Sequence, residues 1–130
     1  MSRIASCCCG ASEPEVDAEP VMNAICHCDS CKRRTGSAFG WSAYFPDEAV
    51  LARRGPLTLY EPKSALRTQR WFCGACGTTL LWSSADFMPG HTGVAGGCFV
   101  ADPLGAPTIT ATDAKRCAWV GLPEGLFASP

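Results

Sequence analysis

Ten of the 130 residues are cysteines, and seven of these fall into three short clusters. The clusters are Cys7-x-Cys9, Cys26-x-Cys28-x-x-Cys31 and Cys73-x-x-Cys76. Thiolates at such spacings can converge on one tetrahedral metal ion, and a thiolate can also act as a nucleophile. In a reducing compartment, cysteine spacing of this kind indicates metal binding or thiol chemistry rather than a disulfide framework. The sequence therefore predicts zinc-thiolate sites.

The pair Cys73-x-x-Cys76, followed by Gly77, is typical of a tight turn that points two thiolates at one ion. Such a pair supplies only half of a tetrahedral site. Cys7 and Cys9 are suited to the other half, because alternate residues of an extended segment project to the same side. We predict a closed, four-thiolate structural zinc site. Its binding energy of about 10–16 kcal/mol would rival the roughly 5–15 kcal/mol net stability of a typical domain.

The middle cluster holds three thiols within six residues, at Cys26, Cys28 and Cys31. A local loop with three ligands need not borrow a fourth from the rest of the chain. The remaining coordination position can then accept water or a substrate atom, which is the arrangement of catalytic zinc sites. His27 lies between two of the thiols and is predicted to support the site rather than to bind the ion.

A basic run follows the middle cluster, at Lys32, Arg33 and Arg34. Three thiolates and one divalent ion carry a net negative charge, so nearby cations help to keep the thiols deprotonated. The same cations are suited to binding carboxylates of a substrate. A solvated helical face is the alternative interpretation of such a run, and the sequence leaves both open.

Three cysteines remain outside the clusters. Cys8 and Cys98 are predicted to be small buried apolar side chains. Packing is also favoured for Cys117, although the neighbouring cation Arg116 could lower its thiol pKa and make it reactive.

The elements that position these residues are predicted to be short. Glycine and proline together account for 23 residues, which favours many turns over long helices. We expect about seven strands, with the Cys73 pair between strands at 67–72 and 78–82. One helical turn over 32–35 is predicted to end at Gly36, with Asp29 or Ser30 as its cap. The chain is interpreted as a single mostly β domain, residues 1–130, with minimal helix.

The composition excludes several functions. The net charge of −1 is too weak to gather nucleic acid, so none is expected as a partner. No run approaches the roughly 18 apolar residues of a membrane span, and the first residues lack the apolar core of a secretory signal. We therefore expect a cytoplasmic protein without a membrane partner.

The order and spacing of the seven clustered cysteines resemble those of the glutathione-dependent formaldehyde-activating enzyme family. The motifs that carry this resemblance are Cys7-x-Cys9-Gly10, Cys26-His27-Cys28-x-x-Cys31-Lys32-Arg33, Gly36-Ser37-Ala38-Phe39, Tyr44-Phe45-Pro46, Phe72-Cys73-x-x-Cys76-Gly77-Thr78 and the ending from Trp119 to Leu126. They extend over nearly the whole chain and are far more specific than a lone zinc knuckle.

The resemblance implies a small zinc-stapled fold of short antiparallel strands, of the β-tent type, with two zinc ions per chain. It implies a structural site at Cys7, Cys9, Cys73 and Cys76. It also implies a catalytic site at Cys26, Cys28 and Cys31. Ser37 joins the basic run of residues 32–34 as a predicted substrate-binding residue.

The activity implied is that of a carbon–sulfur lyase, in which glutathione and formaldehyde combine reversibly to S-hydroxymethylglutathione. Two alternatives stay open. One is a non-catalytic zinc-stapled binding module. The other is a thiol redox enzyme similar to the B-type methionine sulfoxide reductases, with Cys117 as its reactive thiol.

Overall fold

The computed structural model of the chain describes residues 2–64 and 66–130. In that part of the chain it contains eleven strands and one α-helix, α1 (Asp29–Thr35), so the mostly β prediction is confirmed. The strands are β1 (Arg3–Ile4), β2 (Glu13–Val16), β3 (Met22–Cys26), β4 (Gly40–Pro46), β5 (Val50–Arg54), β6 (Leu57–Tyr60), β7 (Thr68–Cys73), β8 (Thr79–Ser84), β9 (His91–Ala95), β10 (Ile109–Ala111) and β11 (Phe127–Ala128).

The strands form two sheets. The smaller has the order β1-β2-β5, and the larger has the order β11-β10-β3-β4-β9-β8-β7-β6. Pairing is antiparallel except at β10, which runs parallel to both β3 and β11. The expected count of about seven strands was too low, because several strands are only two to four residues long and interrupted by proline or charge.

The apolar core lies between the two sheets. Its largest members are Phe45 of β4 and Phe99, whose ring centroids are 6.0 Å apart, and they are joined by Leu80, Val94 and Val16. All five side chains are almost fully buried. Burial of a side chain of this size contributes about 1.5–3 kcal/mol.

The opposite face of the larger sheet is polar and aromatic. Successive residues of a strand point to opposite faces, so Tyr44 points away from the core that its neighbour Phe45 fills. Tyr44 pairs with Gly93, Gly93 with Trp82, and Trp82 with Arg70, which places these four residues in one row across four strands. Tyr44, Trp82 and Arg70 of this row line a cavity on that face.

The helix α1 begins one residue after Cys28, whose sulfur accepts a hydrogen bond from the Cys31 amide at 3.3 Å. The prediction that Asp29 or Ser30 caps the helix was therefore wrong, because a ligand thiol occupies the cap. The predicted end is confirmed: Gly36 adopts φ 64°, and its amide donates to the Lys32 carbonyl. Within the described residues, no helix has the length and hydropathy needed to cross a bilayer.

Candidate metal centres and the adjoining cavity

The four predicted structural ligands converge at one end of the molecule. Cys7 and Cys9 come from the turn after β1, Cys73 ends β7, and Cys76 lies in the following turn. The Cys7 and Cys9 sulfurs are 3.7 Å apart, and the Cys9 and Cys73 sulfurs are 3.9 Å apart. Four sulfurs around a zinc ion with Zn–S bonds near 2.3 Å are about 3.8 Å apart. The thiols therefore fit a tetrahedral ion.

The first half of this site is formed by a turn and not by the predicted extended segment. The Gly10 amide donates to the Cys7 carbonyl at 3.1 Å and folds Cys9 back towards Cys7. The Ser12 amide also donates to the Cys7 sulfur at 3.3 Å. Hydrogen bonding to Thr78 lowers the pKa of the Cys76 thiol to about 5. Such bonds favour the thiolate form that a metal requires.

The second group consists of Cys26, Cys28 and Cys31, whose sulfurs all lie within 4.8 Å of one another. Cys26 ends β3, Cys28 caps α1, and Cys31 lies in its first turn. Hydrogen bonding from Cys31 lowers the pKa of Cys26 to about 5, while the same contact raises the pKa of Cys31. The contact between these two sulfurs therefore favours the thiolate form of Cys26, which is the form that a metal requires.

His27 lies outside both groups of thiols and is completely buried. Its Nε2 lies 2.9 Å from the Thr110 hydroxyl, which donates to Asp113 at 2.8 Å. The hydroxyl has only one proton, so Nε2–H must be the donor in the first contact. Asp113 also accepts from Arg116 Nε at 3.1 Å. This chain of bonds ties the peptide between Cys26 and Cys28 to the C-terminal segment, in keeping with the predicted supporting role.

The two donor sets fit different metal sites. Soft thiolate sulfur is a preferred ligand of zinc, and four converging thiols form a closed site. The three-thiol group leaves one position of a tetrahedral ion without a protein ligand among the described residues. Both groups could hold a metal ion, as predicted, and the second could leave it accessible to a substrate.

A cavity of about 120 Å³ adjoins the three-thiol group. It lies on the polar face of the larger sheet, and α1 borders it through Cys31 and Arg34. The residues that line it are Cys31, Arg34, Ser42, Tyr44, Leu66, Thr68, Arg70, Trp82, Ser84 and Phe87. The Trp82 indole donates to the Tyr44 hydroxyl oxygen at 3.1 Å, which leaves the Tyr44 proton available for another acceptor. Burial raises the pKa of Tyr44, so this proton stays on the phenol at neutral pH.

The four predicted substrate-binding residues occupy different positions. Arg34 lines the cavity, and Arg33 borders an adjoining outer groove of about 420 Å³. The Lys32 ammonium donates to the Lys115 carbonyl at 2.7 Å. Ser37 is exposed just beyond the helix, where its amide donates to the Thr35 hydroxyl.

Arg70 lines the cavity from β7 and was not predicted as a site residue. Its guanidinium donates to the Ser30 hydroxyl at 2.5 Å. Burial lowers the pKa of Arg70, and the charge of Arg34 lowers it further. Its position depends on the pairing of β7 with β8, and no local signal in the sequence reveals that pairing.

The remaining cysteines differ in their surroundings. Cys8 is exposed, so the prediction of a buried side chain was wrong. Cys98 is half-buried in a 3-10 turn after β9, and burial raises its pKa to about 11. Cys117 is half-buried and belongs to neither group of thiols.

Fold and site together define a small β protein with a closed four-thiol centre and an open three-thiol centre beside a cationic, aromatic cavity. The family model for the glutathione-dependent formaldehyde-activating enzyme matches residues 2–113, and the chain belongs to that family. A crystal structure of a Rhodobacter sphaeroides protein, a structural-genomics target, is similar at 28% identity and a TM-score of 0.60. That match covers 77% of this chain and 88% of the other. None of the curated proteins compared with the chain matches it significantly.

Proposed function

We propose that the protein is a zinc-dependent carbon–sulfur lyase that joins a thiol to an aldehyde and cleaves the adduct, with glutathione and formaldehyde as the reactants. The observation that carries the proposal is the three-thiol group, which opens beside a cavity lined by arginine and aromatic side chains. Family membership supports glutathione and formaldehyde as the chemistry.

The reaction is balanced without an oxidant or a reductant. A carbon–sulfur bond forms between the thiol sulfur and the aldehyde carbon, and the carbonyl π bond becomes a C–O–H group. Sulfur releases one proton and oxygen gains one, and the released proton restores the group that protonates the oxygen. An ordinary thiol, with a pKa near 8.5, is mostly protonated at neutral pH, so stabilising its thiolate would accelerate the addition.

Cys26, Cys28 and Cys31 would hold the catalytic zinc ion. When bound there, the ion would supply a Lewis-acid position for a substrate sulfur or oxygen atom. Tyr44 would donate its proton to the aldehyde oxygen, because Trp82 already occupies an acceptor position of its hydroxyl.

The remaining predicted roles follow from charge. Arg34 would bind the substrate inside the cavity, and Arg33 would bind the part that extends into the outer groove. Lys32, in the helix, and Ser37, just beyond its end, would contribute further polar contacts to the substrate. None of the ten cysteines, all within the described residues, forms a disulfide, so the clustered thiols are available as metal ligands.

The test combines zinc content with an assay of S-hydroxymethylglutathione formation, using protein purified under reducing conditions. We expect two zinc ions per native chain and one in Cys28→Ser, with the fold retained and the catalysed rate lost. Cys117→Ser serves as the control and should keep the rate. A native protein without activity would contradict the proposal, and activity lost in Cys117→Ser alone would favour the redox alternative.

A further inference from the structure

We infer that Arg34 and Arg70 form a carboxylate-binding subsite beside the three-thiol group, so that the enzyme selects thiols that carry a carboxylate. The inference rests on the proposed function and makes it more specific. It adds Arg70 as a specificity-determining residue.

Arg34 is held in place by the sheet beneath it. Its guanidinium carbon lies 4.1 Å from the centroid of the Trp82 ring, a cation–π contact. The space for it exists because residue 40 is glycine: a Cβ there would lie 2.4 Å from Arg34 Nη2. This Nη2 is buried and has no hydrogen-bond partner. A buried guanidinium nitrogen without an acceptor is costly, and a substrate oxygen would relieve that cost.

Arg70 borders the same cavity from the neighbouring strand β7. It stands in the row of paired residues that includes Trp82, so both arginines flank one indole ring. The Ser30 hydroxyl accepts one of its five N–H groups and fixes the side chain towards α1. Arg70 also borders the outer groove and therefore marks the junction between the two spaces.

The positive charges of Arg34 and Arg70 are not balanced by a carboxylate in the cavity. Among the described lining residues none is acidic, and neither arginine forms an ion pair within residues 2–64 and 66–130. Two guanidinium groups facing one small space repel each other, and an anion between them would replace repulsion with attraction.

The volume and the geometry point to a carboxylate. The cavity volume of about 120 Å³ is small. It therefore accepts a carboxylate with one or two methylene groups. The planar fork of a guanidinium matches the two oxygens of a carboxylate, and such charge-assisted bonds are about twice as strong as neutral ones.

An alternative role for the two arginines is to balance the charge of the three thiolates. In that case they would strengthen the binding of every thiol equally. The two roles are separated by a pair of probes that differ only in charge, 3-mercaptopropionate and 3-mercaptopropionamide.

Binding of both probes to the zinc-loaded protein would be measured by calorimetry. We expect the native protein to bind the acid about tenfold more tightly than the amide. The Arg70→Gln variant should lose most of this ratio while its affinity for the amide stays within about twofold. Arg70→Lys should recover part of it, because lysine keeps the charge but lacks the fork.

The control is Arg54→Gln, which removes one positive charge from an exposed arginine of β5 that pairs with Glu15. Its acid-to-amide ratio should equal that of the native protein. Zinc content and circular dichroism would show that every variant is folded. A native ratio near one, or an equal loss of both affinities in Arg70→Gln, would overturn the inference.

The proposed function has a separate readout in the same experiment. Propionate, which lacks sulfur, should bind much more weakly than 3-mercaptopropionate if the metal site captures thiols. Equal binding of these two probes would argue against thiol capture, even if the arginines still preferred the carboxylate over the amide.

Discussion

At the scale of single residues, the absence of a Cβ atom at a glycine leaves space that the side chains of the cavity occupy. Gly93 lies opposite Trp82, and a Cβ at this position would lie 2.1 Å from the indole Nε1. The indole is therefore free to cross the strand and reach the Tyr44 hydroxyl. The aromatic floor of the cavity depends on this missing side chain.

Gly93→Ala should consequently destabilise the protein. The methyl group must displace a nearly buried ring and break its hydrogen bond, and overpacking of this kind costs about 1–3 kcal/mol. Urea unfolding of the zinc-loaded protein measures the change. Gly97→Ala is the matched control, because a Cβ there meets nothing within 4 Å. A loss equal in both variants would show that Trp82 does not depend on Gly93.

Gly40→Ala should change specificity more than stability. The new methyl group would lie 2.4 Å from Arg34 Nη2, the far end of a long side chain, and 3.2 Å from Cys31 Cβ. Moving the guanidinium is inexpensive, so we expect a loss of unfolding free energy below about 1 kcal/mol. The preference for 3-mercaptopropionate over its amide should nevertheless fall severalfold in calorimetry. An unchanged preference would show that Arg34 binds from another position.

The sequence predicted the clustered cysteines but not the position of Arg70. Cysteine spacing predicted the thiols of each cluster, because turns and a helix start bring residues two or three apart close together. Arg70 lies far from these cysteines in sequence and reaches the cavity through strand pairing. Pairing register depends on contacts across the whole sheet, and single-residue patterns do not contain that information.

At the scale of elements, β10 connects the segment that carries the three-thiol group to the C-terminal part of the chain. It runs parallel to β3 in the larger sheet, and its Thr110 hydroxyl bonds both His27 and Asp113. The parallel direction of this strand was not predicted from the sequence. Parallel neighbours come from distant parts of a chain, so local sequence cannot reveal them.

Thr110→Val tests this connection. Valine keeps the shape of threonine but removes the hydroxyl, which leaves His27 Nε2 buried without a partner. An unsatisfied buried polar group costs about 1–3 kcal/mol, and we expect a loss of that size in urea unfolding. Thr110→Ser retains the hydroxyl and should lose less. If valine were no worse than serine, the hydroxyl would not stabilise the segment.

At the scale of the whole molecule, the two groups of thiols differ in what they connect. The four-thiol group joins the turn after β1 to the turn between β7 and β8, so it links chain segments that are more than sixty residues apart. A metal ion bound there would close a long loop and restrict the unfolded chain. The three-thiol group lies within six residues at one end of α1 and closes no such loop.

Metal removal should therefore take place in two separate stages. Increasing chelator is expected to abolish activity first, as the open site loses its ion, while circular dichroism and tryptophan fluorescence remain native. The closed site should lose its ion only at higher chelator, together with the fold. Its four thiolates form a complete coordination shell, and its binding energy of about 10–16 kcal/mol is coupled to folding.

Two variants test which group of thiols releases its ion at each stage. Cys28→Ser should lack the first stage and keep the second, whereas Cys9→Ser should lose thermal stability before any chelator is added. Zinc released per chain, measured with a colorimetric indicator during the titration, distinguishes the two. Unfolding of Cys28→Ser, together with a stable Cys9→Ser, would reverse the roles of the sites, since the ion that closes the long loop is the one on which the fold should depend.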